Sequence, residues 1–352
     1  MGVAATSHKA IHNLLREVED VARREGVSFR GLKKGSKYEG PFITTSGDQA
    51  YFSDPDDDVL LLAGTSWLFS REEMEGVVDT LFVDEAGQVS LADALAMGTC
   101  ARNLVLLGDP QQLAQVSQGT HPEGAGASAL KHVLAGEDTI PPERGLFLSI
   151  TWRMHPDVSR FVSAVSYEGR LESAPETAAQ QTSFGTGLRF LPVVHEGNRI
   201  ASHEEADAVA AAIEQMVGAD YTDSAGRTRP LNHDDFLVVA PYNAQVRCLR
   251  AAVPRVVPVG TVDKFQGQEA PIVFFSMATS SGEDLPRNLG FLFSRNRLNV
   301  AISRARCLAI LVACPDLLDI RCRTIEEMRL ANALCLAVEM AEETTVAGLG
   351  SR

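Results

Sequence analysis

The feature that most constrains this chain is a rhythm. Short, nearly continuous apolar runs rich in β-formers alternate with helical or loop segments through most of its 352 residues. Such runs occupy 59–64, 80–84 and 103–108, and then 188–193, 236–240, 256–262, 272–277 and 308–313. Strands without polar alternation are buried on both faces, which calls for parallel sheets covered by helices. The fold class read from this is α/β. At roughly 100–200 residues per domain, the length predicts two domains, each with its own core. The seam falls at 136–144, around Pro141-Pro142, and strand-like 147–150 follows it. This predicts domains at 1–140 and 141–335 and a tail at 336–352, whose end from Thr344 onward is small, polar and frayed. Ser202-His-Glu-Glu205 reads as a capping box opening a helix through Met216, and Pro156 suits the first turn of a helix through Val165.

Composition removes several classes. With 45% hydrophobic and 22% charged residues, the chain is neither disordered nor collagen-like. No stretch approaches the roughly 18 apolar residues of a membrane span, and Met1–Lys9 lacks a secretory pattern. Six scattered cysteines without a C-x-x-C pair read as buried thiols in a reducing cytoplasm. The net charge of −14 argues against a nonspecific coat for nucleic acid, although a local basic channel remains compatible with it. From Leu285 to Pro315 there is no acidic residue but there are five arginines, Arg287, Arg295, Arg297, Arg304 and Arg306. Asp54-Pro-Asp-Asp-Asp58 reads as a solvated turn.

Chemistry enters at strand ends. Leu81-Phe-Val-Asp84-Glu85 delivers two adjacent carboxylates to the carboxyl edge of a sheet, where α/β folds place ligands. One carboxylate can hold a magnesium shell and the next can orient water, as NTP hydrolysis requires; an acidic turn after a strand is the plain alternative. A second strand ends in Gly108-Asp109-Pro-Gln-Gln112-Leu113, which taken singly is good turn chemistry. Trp152-Arg153-Met-His155-Pro156 and Asn299-Val-Ala-Ile-Ser-Arg304-Ala-Arg306 place arginines suited to phosphoryl charge or to surface ion pairs. Between them lies the polar segment Gly260-Thr261-Val-Asp263-Lys264-Phe-Gln266-Gly267-Gln-Glu269.

Taken in order, these five motifs resemble the Upf-like branch of superfamily 1 helicases, from about Val3 to about Ala313. Gln115–Ser128 further resembles bacterial members in which a RecB-like nuclease precedes the helicase; no nuclease segment is present in these residues. The resemblance implies two tandem RecA-like domains, with ATP and magnesium as cofactors. It makes Asp84 the anchor of the magnesium shell through water, Glu85 the polariser of the attacking water, and Gln112 a γ-phosphate sensor. Arg153 and Arg304 become arginine fingers, Trp152 a stacking surface for adenine, and Gly267 and Glu269 its phosphate and ribose neighbours. For Trp152 the competing reading is a core tryptophan.

The same resemblance places nucleic-acid contacts at Thr6, Ser7, His8 and Lys9, at Thr65 and Ser66, and at Thr261. Ser7 serves equally well as a plain N-cap. One departure is large. The six lysines are Lys9, Lys33, Lys34, Lys37, Lys131 and Lys264, and none follows a glycine, so no Gly-x-x-x-x-Gly-Lys-Ser/Thr exists in these residues. The family carries that P-loop just upstream of the segment with which this sequence begins, so the expectation is a first domain truncated at its N-terminus. The function expected is ATP-driven movement 5′→3′ along single-stranded nucleic acid, DNA on the bacterial resemblance, with no membrane partner. The rival readings are a non-hydrolysing nucleic-acid clamp and a small-molecule NTPase.

Overall fold

A computed structural model describes residues 1–113, 127–265, 267–285 and 289–349. The chain divides into two compact units, Met1–Gly145 and Leu146–Arg352. The seam therefore sits five residues beyond the expected 140/141 boundary.

In the first unit, β1 (Gly2–Ala5), β2 (Arg30–Lys34), β3 (Ile43–Ser46), β4 (Val59–Thr65), β5 (Val78–Val83) and β6 (Ala101–Leu106) form one sheet in the order β3-β2-β4-β1-β5-β6. Every pairing is parallel. The chain leaves β1 for β2 and β3, returns through β4, then crosses to β5 on the other side of β1. Such a reversal places loops from both directions at one carboxyl edge. Helix α1 (His8–Glu25) covers one face because Ile11, Leu15 and Ala22 recur on one side. Ser7 Oγ accepts the Ala10 N–H to start it, and left-handed Gly26 ends it. A buried carboxylate on the same stripe, Glu19, accepts the Tyr38 hydroxyl (2.6 Å) and the N–H groups of Phe42 and Ile43 (2.9 Å each), pinning the β2–β3 connection to the helix. Short α2 (Ala50–Ser53) and α3 (Ser66–Phe69), with α4 (Leu91–Gly98) and α5 (Ala129–Leu134), complete the unit, and the other core gathers Phe52, Phe69, Leu81 and Met97.

One strand departs from expectation. The apolar run at 103–108 predicts burial on both faces, but β6 lies at the sheet margin and Leu104 is 41% exposed. Among the described residues β6 pairs with β5 alone.

The second unit contains β7 (Ile150–Thr151), α6 (Pro156–Ser166), β8 (Glu172–Ser173), β9 (Gln181–Thr182), β10 (Gly187–Pro192), α7 (His203–Met216), β11 (Asp220–Thr222), β12 (Thr228–Pro230) and β13 (Phe236–Ala240). It continues with α8 (Asn243–Ala252), β14 (Val259–Thr261), β15 (Ala270–Ser276), α9 (Leu289–Leu292), α10 (Arg295–Ile302), β16 (Ala305–Ala313), α11 (Ile325–Met340) and β17 (Glu342–Glu343). Its main sheet, order β14-β13-β15-β16-β10-β17, is again wholly parallel. β13 and β15 are buried throughout, as their unbroken apolar runs demand. Two parallel-sheet α/β units agree with the tandem RecA-like class. Among the described residues no helix is long and apolar enough to cross a membrane.

Four local expectations need correction. Strand structure covers only Ile150–Thr151; Leu146 and Leu148 precede it in irregular, exposed backbone. Ser202 caps α7, but Glu205 does not reach back to complete a capping box. It is buried instead, accepting from Ser276 Oγ (2.6 Å) and Ala278 N (2.9 Å) and lying 3.0 Å from His195 Nε2, so tertiary partners displace the local one. The tail expected at 336–352 begins inside α11, which runs to Met340, and 344–349 are not frayed: Thr344 N–H donates to Phe190 O and Leu349 joins the core. All six cysteines are free, yet only Cys100, Cys307 and Cys314 are buried; Cys248 and Cys322 are half-buried and Cys335 is exposed.

Candidate functional site

The carboxyl edge of the first sheet gathers most of the residues singled out. From one side to the other it presents Lys34 at the end of β2, Thr65 and Ser66 at β4, Thr6 and Ser7 after β1, Asp84 and Glu85 after β5, and Gly108 after β6. Register fixes the neighbours: Ala5 lies opposite Thr65, and Ala4 opposite Val83.

On the β5–β6 side, Asp84 is half-buried and its Oδ1 accepts the Glu85 N–H at 2.9 Å. Burial raises the Asp84 carboxyl above its ordinary range, and that single backbone hydrogen bond only partly opposes it. Glu85 adopts the left-handed conformation at φ 54°, which costs a side-chain-bearing residue about 1–3 kcal/mol. The strained turn is over-determined by what packs on it. Ala86 N–H donates to Leu107 O at 2.8 Å, a side chain at Gly87 would meet the Asp109 carbonyl oxygen at 2.5 Å, and one at Gly108 would meet the Ala86 nitrogen at 2.9 Å. Both glycines thus serve the close approach of two backbones. The Asp-Glu and Gly-Asp-Pro segments, separate in sequence, form one back-to-back unit. Gln112 follows with its N–H on Asp109 O at 3.3 Å.

On the β2–β4–β1 side the chemistry is basic. Lys33 is fully buried and its ammonium donates to Ser36 O (2.6 Å) and Lys34 O (3.2 Å), 3.4 Å from His8 Nδ1. Desolvation lowers the Lys33 pKa, and it also lowers that of His8, with the Lys33 charge adding to it. His12 is shifted down for the same two leading reasons. The N-terminus of α1, with Ser7 as its cap, thus adjoins the buried Lys33 through His8.

The second unit brings another set together. Glu269 is clamped by two guanidinium groups: Arg153 Nε bonds its Oε2, and Arg306 Nε and Nη2 reach its Oε1 at 2.9 and 2.8 Å. Burial pushes the Glu269 carboxyl up, but Arg153 and Arg306 together outweigh this and hold it below the usual range. Arg153 Nη1 also donates to Ser303 O at 3.2 Å. Arg304 is 4% exposed, with Nη1 on Gln268 O at 3.0 Å. Thus Arg153, Glu269 and Arg304 share one neighbourhood, and Arg306, which the sequence reading did not select, completes it. Trp152 is 72% exposed and so is not a core tryptophan. Gly267 is exposed and left-handed at φ 73°, and Thr261 ends β14 at the opposite margin of this sheet. Residues 114–126, most of the Gln115–Ser128 segment, lie outside the described residues, as do Gln266 and Arg287.

Two more residues carry no role in the sequence pattern: Lys33, whose burial depends on the β2–α1 packing, and Trp67, which is 82% exposed just past Thr65-Ser66.

Residues 127–316, more than half of the chain, match the family described as AAA domain. The chain is 29% identical over 249 residues to the DNA replication ATP-dependent helicase/nuclease DNA2 of Gallus gallus, covering 67% of this chain and 23% of that protein. It is 28% identical over 257 residues to Helicase sen1 of Schizosaccharomyces pombe, covering 66% and 14%. The DNA polymerase alpha-associated DNA helicase A of the same yeast is 28% identical over 255 residues, covering 65% and 36%. The chain therefore spans about a third or less of the length of these relatives. Among solved structures, the arterivirus nonstructural protein 10 (helicase) with DNA aligns over 89% of this chain and 54% of that one, at 16% identity and a TM-score of 0.47. On the family match, the chain belongs to the AAA domain family, as a member of the Upf-like superfamily 1 helicases.

Proposed function

We propose that this chain is part of an ATP-driven motor moving 5′→3′ on single-stranded DNA in the cytoplasm. The observation that carries the reading is the first sheet's carboxyl edge, where strand-binding candidates and hydrolytic candidates stand on neighbouring strands. Thr6, Ser7, His8 and Lys9 with Thr65 and Ser66 would hold the phosphate backbone through hydroxyls, N–H groups and charge, and Thr261 would add a contact from the second unit. Asp84 fits a hydrated magnesium ion: it is desolvated, and among the described residues no cationic side chain neutralises it. Bound there, the ion would spread phosphate charge. Glu85, held rigid by its strained turn, would orient the attacking water, and Gln112 would sense the γ-phosphate. In the second unit Arg153 and Arg304 would stabilise transferring charge, Trp152 would stack on adenine, and Gly267 would let the backbone approach phosphate. Glu269 would orient Arg153 and Arg306 while lying near the ribose.

The motif Gly-Lys-Ser/Thr does not occur in these residues, and a nest of N–H groups with one lysine is what such a motif would supply to the phosphate site. Residues 1–352 alone should therefore bind a strand but turn over ATP negligibly. A non-hydrolysing clamp is the second reading, and this same absence favours it. Both are tested by joining the chain to a strand–P-loop–helix segment. The motor reading expects ATPase stimulated by single-stranded DNA and abolished by Glu85→Gln; strand binding without stimulated turnover supports the clamp. With about four phosphate contacts, log K should fall against log salt with a slope near −3. Absence of single-strand binding would reject both.

A further inference from the structure

We propose that Trp67 is a base-stacking platform for single-stranded nucleic acid, a sequence-tolerant contact within the strand-binding edge; this rests on the strand-binding reading above. Tryptophan is costly to leave in water, because its large ring gains most from burial. Trp67 is nevertheless 82% exposed, at the first turn of α3, while its neighbours Leu68 and Phe69 are buried beneath it. An exposed ring at that place needs a partner, and the surroundings define its chemistry.

Four of the chain's six lysines fall in its first 37 residues: Lys9, Lys33, Lys34 and Lys37. Lys9 lies in the first turn of α1, and Lys33 and Lys34 close β2. Those elements flank β4 through direct pairing, Ala5 opposite Thr65 on one side and Lys33 opposite Ala63 on the other. Adjacent strands are about 5 Å apart, so the end of β4 from which α3 departs lies beside the ends of β1 and β2. Lys33 is buried and Lys37 is paired with Glu39, so in a chain of net charge −14 the cations left toward this edge, beside the exposed ring, are Lys9 and Lys34. A ligand that offers anionic groups together with flat π-faces satisfies both halves of that environment, and a single strand with unpaired bases is such a ligand. An acidic peptide would satisfy the charge and leave the ring without a stacking face. A duplex hides its bases.

Stacking adds affinity without releasing counterions, whereas lysine contacts add affinity that salt removes. This separates the two contributions. An oligothymidylate of about 12 nucleotides and an abasic strand of the same length and charge are titrated into the full chain, wild type and Trp67→Ala, by fluorescence anisotropy at several salt concentrations. The expected result is about a tenfold loss of affinity for the thymidylate in the variant at every salt concentration, with an unchanged salt slope and with Trp67→Phe largely restoring binding. Toward the abasic strand, wild type and Trp67→Ala should bind alike. Because Trp67 and Trp152 are the only tryptophans, Trp152→Phe leaves Trp67 as the sole reporter, and its emission should be quenched by the thymidylate and not by the abasic strand. Normal thymidylate affinity in Trp67→Ala, or equal quenching by both strands, overturns the stacking role while leaving the strand-binding reading intact. Failure of the wild-type chain to bind either strand overturns both. Binding of an acidic peptide with the same dependence on Trp67 also overturns the assignment.

Discussion

Asp84, half-buried, and Glu269, on the exposed rim, are both carboxylates near strand ends, and their surroundings treat them in opposite ways. Asp84 has one backbone N–H and burial, so its proton is held more tightly than in water. Glu269 has two arginines, so its charge is held. The difference separates a carboxylate left ready for an external cation from one consumed in orienting its own chain's cations. A metal-shell ligand must be the first kind, because a carboxylate already neutralised by guanidinium gains little from an ion. A residue that aims an arginine must be the second.

The largest effect that could break this contrast lies in turnover. If the second unit's arginines are preset for transition-state charge, Arg304→Ala in the P-loop-joined protein should lower kcat by about 10³-fold or more with little change in nucleotide affinity. Single-turnover rates and equilibrium nucleotide binding separate the two. Near-normal kcat would remove Arg304 from the site and leave the Glu269 cluster a purely structural ion network.

How much of this could be read beforehand depended on the range of the interactions. Continuous apolar runs placed the strands at 236–240 and 272–277 nearly to the residue, because burial on both faces is written locally. Strand order is not legible, so the run at 103–108 reads as buried on both faces though β6 stands at the margin. Asp84 and Glu85 were visible as a pair, but the strain at Glu85 and the backbone contact through Gly87 and Gly108 were not, since they arise only when two distant turns meet. The same limit explains Glu205. A capping-box pattern is a local signal, and a buried His195 with the β15 end offered that carboxylate better partners than its own helix start. Arg306 was within a recognised motif, but only the β15–β16 pairing brings it to Glu269.

A middle-sized effect tests the clamp itself. Glu269→Ala leaves Arg153 and Arg306 without their common partner and should destabilise the second unit by about 1–2 kcal/mol, less than a fully buried pair because both arginines are partly solvated. The pH dependence has a defined sign. A carboxylate whose folded pKa is depressed contributes stability that is fully present above its unfolded value, near 4.3, and is lost as pH falls through the folded one. Chemical denaturation of the wild type should therefore show the second unit weakening below about pH 4.5, with that component missing in Glu269→Gln. An unchanged acid profile in the variant would mean that the arginines do not hold the charge.

The smallest effect has the opposite sign and sharpens the comparison most. Asp84 has a raised folded pKa, so the folded first unit binds its proton more tightly than the unfolded chain does. Its penalty is present in full above the folded value and is relieved as pH falls toward the unfolded value near 3.9. Asp84→Asn removes the charge while keeping the shape, and should stabilise the first unit at neutral pH by about 0.5–1 kcal/mol, the scale of a single stabilising substitution. In the P-loop-joined protein the same change should weaken magnesium dependence of turnover, since the amide is a poorer ligand for a cation's water shell. A gain in stability with a loss of metal response is what a site held ready for an external ion requires. If Asp84→Asn instead destabilises the first unit, the carboxylate is serving a partner inside the fold, and its contrast with Glu269 collapses.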